Sequence, residues 1–290
     1  MIFLKLNRGK FHDKLMYKLE KYGIKGDLHK WLTSFHTKRE RRAVIGGEQS
    51  NKAVVESEVP QGTVLGPLLF LCHINDLPEC VKSQVCLFAD DCLLYRQIKN
   101  REDHILLQKD LTCQEEWAQK WTMRINAKKC YVMSIKGNTS CLCNLDKTVL
   151  QQVTETPYLG ILLSEDLGWS KHIAKTASKA SSTLGFVRRN LKNCLISCRK
   201  TAYIALVRSV LEYGSVVWDP YISRDIDTLE RILRNGARFN TGDYNSRHEG
   251  AVTNMPKDLD LPTLLTRQKN NCQIGVSVQS GRGIGPSNRS

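Results

Sequence analysis

Residues 81–95, VKSQVCLFADDCLLY, place two adjacent aspartates at the joint of two apolar runs. Val85 and Leu87 alternate on the way in and Leu93 and Tyr95 on the way out, the period-two pattern of a strand pair with one buried face. Adjacent carboxylates repel and disfavour strand pairing, so Asp90 and Asp91 at such a joint constrain the fold: a sheet must be built around that turn. Aspartates are also common in surface turns. Here the apolar flanks make the turn the tip of a core strand. Two carboxylates held in this way suit hard divalent cations, which take oxygen ligands. Pairs of such ions serve phosphoryl and nucleotidyl transfer.

A second constellation, VPQGTVLGPLLFLCHINDLP at 59–78, precedes this hairpin. Gly62 and Gly66 permit close backbone approach, and Pro60 and Pro67 stiffen the segment. The spacing is not that of a P-loop, and structural use of these glycines competes evenly with ligand contact. The run VLGPLLFLC is well short of the roughly 20 residues of a membrane span, and its central proline is expected to break a helix. No membrane partner and no secretory leader are expected, and the chain reads as intracellular.

Charge points to a polyanionic partner. The 290 residues carry 43 Lys and Arg against 29 Asp and Glu, a formal net charge of +14. The excess is concentrated: residues 1–45 hold 12 basic and 4 acidic side chains, and 171–240 hold 13 and 5. A tight basic cluster at 36–42, with Lys38, Arg39, Arg41 and Arg42, leads into a glycine-turn hairpin, AVIGGEQSNKAVV. It reads either as a solvated face or as a phosphate contact. The 11 cysteines are scattered, several of them inside apolar runs. Cys141 with Cys143 and Cys194 with Cys198 lack paired zinc-knuckle spacing, so reduced thiols are expected rather than a zinc site.

Along the chain, Phe11, Leu15, Leu19 and Tyr22 share a helical face, continued by Leu28, Trp31, Leu32 and Phe35. Residues 101–121 repeat that period, and Trp117 and Trp121 read as core. After about 165 the pattern is helical. Ile173, Ala177, Ala180, Leu184 and Val187 mark one face, Tyr203, Leu206, Val207 and Val210 another, and Ile226, Leu229, Ile232 and Leu233 a third. The expectation is an α+β chain: 1–165 mixed, 166–270 helical, and 271–290 a glycine- and serine-rich disordered tail.

The strings VPQGTVLGPLLFLCHINDLP, LFADDCLLY, WAQKWTMRINAKKCYVM and YLGILLSEDLGWSKHI, in this order, resemble the reverse transcriptase of jockey-like non-LTR retrotransposons. LVRSVLEYGSVVWDPY resembles the thumb-side region of the same proteins. The resemblance implies a right-hand polymerase palm followed by a helical thumb, with the fingers mostly missing and the N-terminus truncated. It implies Mg²⁺-dependent nucleotidyl transfer from deoxynucleotides on an RNA or DNA template–primer, with no obligate protein partner. Asp90 and Asp91 would be the catalytic metal ligands. Pro60, Gln61 and Gly62 would line the nucleotide pocket, and Lys128 or Lys129 would sit near the triphosphate.

The departures fall at the start. Aligned on His12, the family's DFSKAFDxVPH pattern puts Ile2 where a metal-binding Asp belongs, Asn7 where the aromatic gate belongs and Arg8 in place of the second Asp. An isoleucine cannot ligate a cation, so this chain is expected to be inactive in primer extension unless another acid, Asp76 or Asp13, substitutes. The alternative reading is a catalytically dead remnant that still binds nucleic acid.

Overall fold

A computed structural model describes residues 1–7, 12–37, 39–55, 62–137 and 142–244. The chain forms two compact units, Met1–Thr154 and Glu155–Ser290.

The first unit begins with β1 (Ile2–Asn7), α1 (His12–Lys21) and α2 (Gly26–His36). Four short strands follow: β2 (Glu40–Arg41), β3 (Val44–Ile45), β4 (Glu48–Gln49) and β5 (Ala53–Val54). Here β3 and β4 form a hairpin about Gly46 and Gly47, both at positive φ as its two-residue turn requires; its second strand is Glu48–Gln49 and not the KAVV segment read from the sequence, which as β5 pairs with β2. Next come α3 (Leu65–Ile74), β6 (Gln84–Phe88), β7 (Asp91–Tyr95) and α4 (Arg101–Lys120). The unit closes with β8 (Arg124–Ile125), β9 (Tyr131–Val132), β10 (Asn144–Leu145), β11 (Thr148–Val149) and β12 (Gln151–Gln152).

The main sheet has the order β12-β9-β1-β7-β6, with β8 also paired to β1. All its pairs are antiparallel except β9 with β12. Strand alternation sorts its residues by face. Ile2, Leu4, Leu6, Cys92, Leu94 and Val132 enter one core with Leu15 and Leu19 of α1, Leu69, Phe70 and Ile74 of α3, and Leu107, Leu111 and Trp117 of α4. Lys18 lies inside this layer. Its ammonium donates to the His73 carbonyl and to Asp76 and stands 3.8 Å from the Trp121 ring centroid.

Three sequence expectations are corrected here. Pro67 does not break the 64–72 run; it occupies the first turn of α3, where a missing N–H costs no intrahelical bond. Of the second predicted face only Leu32 is buried, whereas Leu28 and Trp31 are exposed, and Tyr22 of the first face is exposed too. Leu206 is also exposed, because residues 203–208 form a π-helical turn that shifts the local period.

The second unit opens with the hairpin β13 (Glu155–Tyr158) and β14 (Ile161–Ser164), followed by α5 (Ser170–Asn190), α6 (Ile196–Ala202), α7 (Ser209–Glu212) and α8 (Ser223–Thr241). Its core joins Ile173, Ala177, Ala180, Leu184 and Val187 of α5 to Tyr203, Val207, Trp218, Leu229 and Ile232. No helix among the described residues is long and apolar enough to cross a membrane. Residues 271–290 lie outside the described residues, as do 245–270.

Candidate functional site

The aspartate pair lies at the tip of the β6–β7 hairpin. Phe88 pairs with Asp91, which leaves Ala89 and Asp90 as the two turn residues. Ala89 has φ of 50°, the left-handed conformation that two-residue hairpins require and that costs a non-glycine residue about 1 kcal/mol. The tip is fixed to the neighbouring strand, because the Leu6 N–H donates to the Asp90 carbonyl at 2.9 Å.

Across the sheet, β1 runs antiparallel to β7 with Ile2 opposite Leu94 and Lys5 opposite Asp91. The Lys5 ammonium lies 2.9 Å from Asp90 Oδ2 and 2.8 Å from Asp91 Oδ1, with all three side chains about one-third exposed. Burial opposes the charge on Lys5, but the hydrogen bonds and charges of Asp91 and Asp90 together outweigh it and hold its pKa above the ordinary lysine value.

This register revises the expectation about Ile2. Positions 2 and 5 differ by an odd number, so their side chains point to opposite faces of the sheet. Ile2 is fully buried in the helix-covered core, three rungs from Asp91. The β1 side chain that meets the aspartates is that of Lys5, to which the sequence reading gave no role. The signal was present in part, since Lys5 is the one charged residue between Met1 and Asn7. Asn7 pairs with Arg124 in β8, and Arg8 lies outside the described residues.

The other predicted residues divide. Lys128 and Lys129 are exposed on a single 3₁₀ turn (Ala127–Lys129) beside β1, held there by the Asn126 N–H donating to the Lys5 carbonyl at 3.0 Å. Gly62 is exposed at φ 77°, three residues before α3, whereas Pro60 and Gln61 lie outside the described residues. Arg41 and Arg42 are exposed on and beside β2, Arg42 donating to Gln49 Oε1 at 2.8 Å. Arg39 is half-buried next to them, and Lys38 lies outside the described residues. Of the other acids, Asp13 is exposed on α1. Asp76 is engaged by Lys18 and by the Trp117 indole N–H at 3.2 Å.

These residues do not fit a pair of Mg²⁺ ions. Two ions need bridging carboxylates, yet β1 turns Phe3 and Lys5 toward the aspartates. No group of three His, Cys, Asp or Glu placed to hold a metal occurs among the described residues.

A central sheet under flanking helices, with an aspartate pair at a hairpin tip, is the α+β arrangement of a reverse-transcriptase-like fold. The chain belongs to the reverse transcriptase (RNA-dependent DNA polymerase) family, whose model matches residues 11–163. The match begins after β1, so the strand carrying Lys5 falls outside it. Relatives are non-LTR retrotransposon proteins. The probable RNA-directed DNA polymerase from transposon BS of Drosophila melanogaster is 26% identical over 88% of this chain and 29% of its own length. The RNA-directed DNA polymerase from mobile element jockey of the same species is 28% identical over 91% of this chain and 30% of its own. That from transposon X-element is 27% identical over 72% and 24%. The chain thus spans less than a third of the length of these curated relatives.

Proposed function

We propose that the first unit is the palm of a non-LTR retrotransposon reverse transcriptase, that the helices of the second are its thumb, and that the chain holds template–primer nucleic acid without joining nucleotides. The observation that carries this reading is the Lys5 ammonium seated between Asp90 and Asp91. Primer extension requires the 3′-hydroxyl to be activated and the charge on the departing pyrophosphate to be neutralised. A lysine already bonded to both carboxylates supplies one positive charge where that chemistry needs two divalent ions. A partly exposed ion pair is worth at most about 1 kcal/mol, so Lys5 alone is a weak block. The stronger obstacle is the absence of a carboxylate on the same face of β1.

The basic residues that remain exposed, Arg41, Arg42, Lys128 and Lys129, support retention of the nucleic acid backbone, for which positive charge suffices. The test is a primer-extension assay on an RNA template with Mg²⁺, run beside a binding assay on the same template–primer. The expected result is binding without incorporation. Incorporation that disappears on Asp90→Ala would overturn the reading and restore an active RNA-directed DNA polymerase.

A further inference from the structure

A second site lies at the end of the main sheet away from the aspartate pair. Tyr95 closes β7 four residues beyond Asp91, about 13 Å along the strand. There β6, β7, β9 and the start of α4 border a cleft of about 830 Å³, a size at which small molecules are bound. Its floor is apolar: Leu107 and Val132 are buried, and Ile98 and Ile135 are half-buried. Its rim carries Lys82, Arg96 and Lys99, and Asp103 is the one acid among the described residues that line it.

Two carboxylates fix this wall. Asp110, buried behind it, accepts the Lys82 N–H at 3.0 Å, the Ser83 N–H at 2.8 Å and the Ser83 hydroxyl. Asp103 accepts Arg96 Nε at 3.2 Å and the Lys99 N–H at 2.9 Å. Arg96 Nη1 also reaches Ser83 Oγ at 3.4 Å. The acids therefore grip the backbone of both lysines and the guanidinium of Arg96. The ammonium groups of Lys82 and Lys99 have no carboxylate partner among the described residues. Three cationic side chains against two carboxylates leave one positive charge above an apolar floor.

We infer that this cleft binds a small organic anion, with a flat apolar body against the floor and the Tyr95 ring, and a single sulfonate or carboxylate head on Lys82 and Lys99. The inference does not depend on the nucleic-acid reading above. Exposed lysines alone would accept any anion. The apolar floor selects an organic one, since a bare inorganic ion would leave that surface in water. The rim repels a metal cation. A nucleic acid strand fits less well, because its backbone carries a charge at every phosphate and the cleft leaves one charge to meet it.

The test uses the whole chain and the fluorescent dye anilinonaphthalene sulfonate, which brightens on leaving water, beside phenylnaphthylamine, the same body without the sulfonate. Saturable binding of one sulfonate dye per chain is expected, with the neutral dye at least about tenfold weaker. A Lys82→Ala, Lys99→Ala variant should bind the sulfonate dye about tenfold more weakly and the neutral dye as before. Both lysines are exposed, so the fold should survive, and circular dichroism checks it. If the double variant unfolds, Lys99→Gln alone takes its place, with a severalfold loss expected. Lys175→Ala, Lys179→Ala, which removes two exposed lysines of α5, controls for general attraction and should leave the affinity unchanged. Equal affinity of the native chain and the rim variant, or of the two dyes for the native chain, would overturn the site. A native chain that takes up no dye, or only many copies weakly, would overturn it as well. Displacement of the bound dye by oligouridylate would assign the cleft to the nucleic acid surface instead.

Discussion

Lys5 and Asp91 face each other across one rung of the β1–β7 ladder, and the lysine reaches past that rung to take the second carboxylate at the hairpin tip. Because Lys5 is the β1 position directly opposite Asp91, it is where a third acid would complete a cation site. Lys5→Asp should therefore create saturable Mn²⁺ binding, readable by electron paramagnetic resonance, that the native chain lacks at the same concentrations and that Asp90→Ala removes again. Equal Mn²⁺ uptake by the native chain and the variant would show that the lysine yields to the ion unaided.

Ile2→Asp is expected to do the opposite of repair. In this register it places a carboxylate in the core formed by β1, α1, α3 and α4. An unpaired buried charge costs about 3 kcal/mol or more, so urea unfolding should show a large loss of stability and metal titration no gain. A mild effect, below about 1 kcal/mol, would mean that Ile2 is not held on the core side.

Two buried histidines set a pH dependence. Burial pushes His36 down to about 4, helped by the nearby charges of His12 and Arg39. Burial likewise takes His73 to about 4, helped by Lys18. Between about pH 6.5 and 4 the unfolded chain takes up protons that the folded one refuses, so stability is full above 6.5 and falls as the pH drops through that window. Each histidine accounts for on the order of 2 kcal/mol. Urea midpoints measured from pH 7.5 to 4.5 should decline, and a His36→Asn, His73→Asn double variant should decline less.

Thiol labelling should sort the cysteines by burial. Desolvation pushes Cys92 up to about 12 and Cys80 up to about 11, so neither offers thiolate at neutral pH. Cys86 and Cys198 are exposed. Brief alkylation of the native chain followed by peptide mass spectrometry should modify Cys86 and Cys198 and spare Cys92. Early labelling of Cys92 would mean that the β7 core opens readily.

Gly236 and Gly185 should respond to alanine with opposite signs. A methyl group on Gly236 would lie 2.2 Å from the buried Tyr203 ring, whereas one on Gly185 meets only the flexible end of Arg189. Removing a helix-interior glycine ordinarily gains about 0.5–1 kcal/mol. Gly185→Ala should show that gain in thermal unfolding, and Gly236→Ala should lower the midpoint.

The sequence made some of this legible because the relevant signals are local. The period-two flanks of Asp90 and Asp91 identified the hairpin, and all five residues read as the α5 face are buried. Trp117 and Trp121 are core, as their spacing implied. The role of Lys5 was not legible, because it depends on which residue of β7 stands opposite it. Register between strands so far apart in the chain is set by packing and leaves no period in either segment. Leu28 and Trp31 show a second limit. Their spacing matches a buried face, but α2 buries only Leu32 of it and leaves Leu28 and Trp31 outside, and periodicity does not say how much of a face meets the core.

The position of β1 in the middle of the sheet also orders events during folding. The β6–β7 hairpin closes through neighbouring residues, whereas β1 must return across 86 residues for Lys5 to reach Asp91 and across 132 for Met1 to reach Met133. Contacts of such separation form slowly compared with local ones. Until they form, the hairpin carries two adjacent carboxylates without the Lys5 ammonium and has an open strand edge. The docking of β1 therefore closes the ladder and quenches that repulsion in one step, and the refolding of this unit should depend on ionic strength at its slow phase.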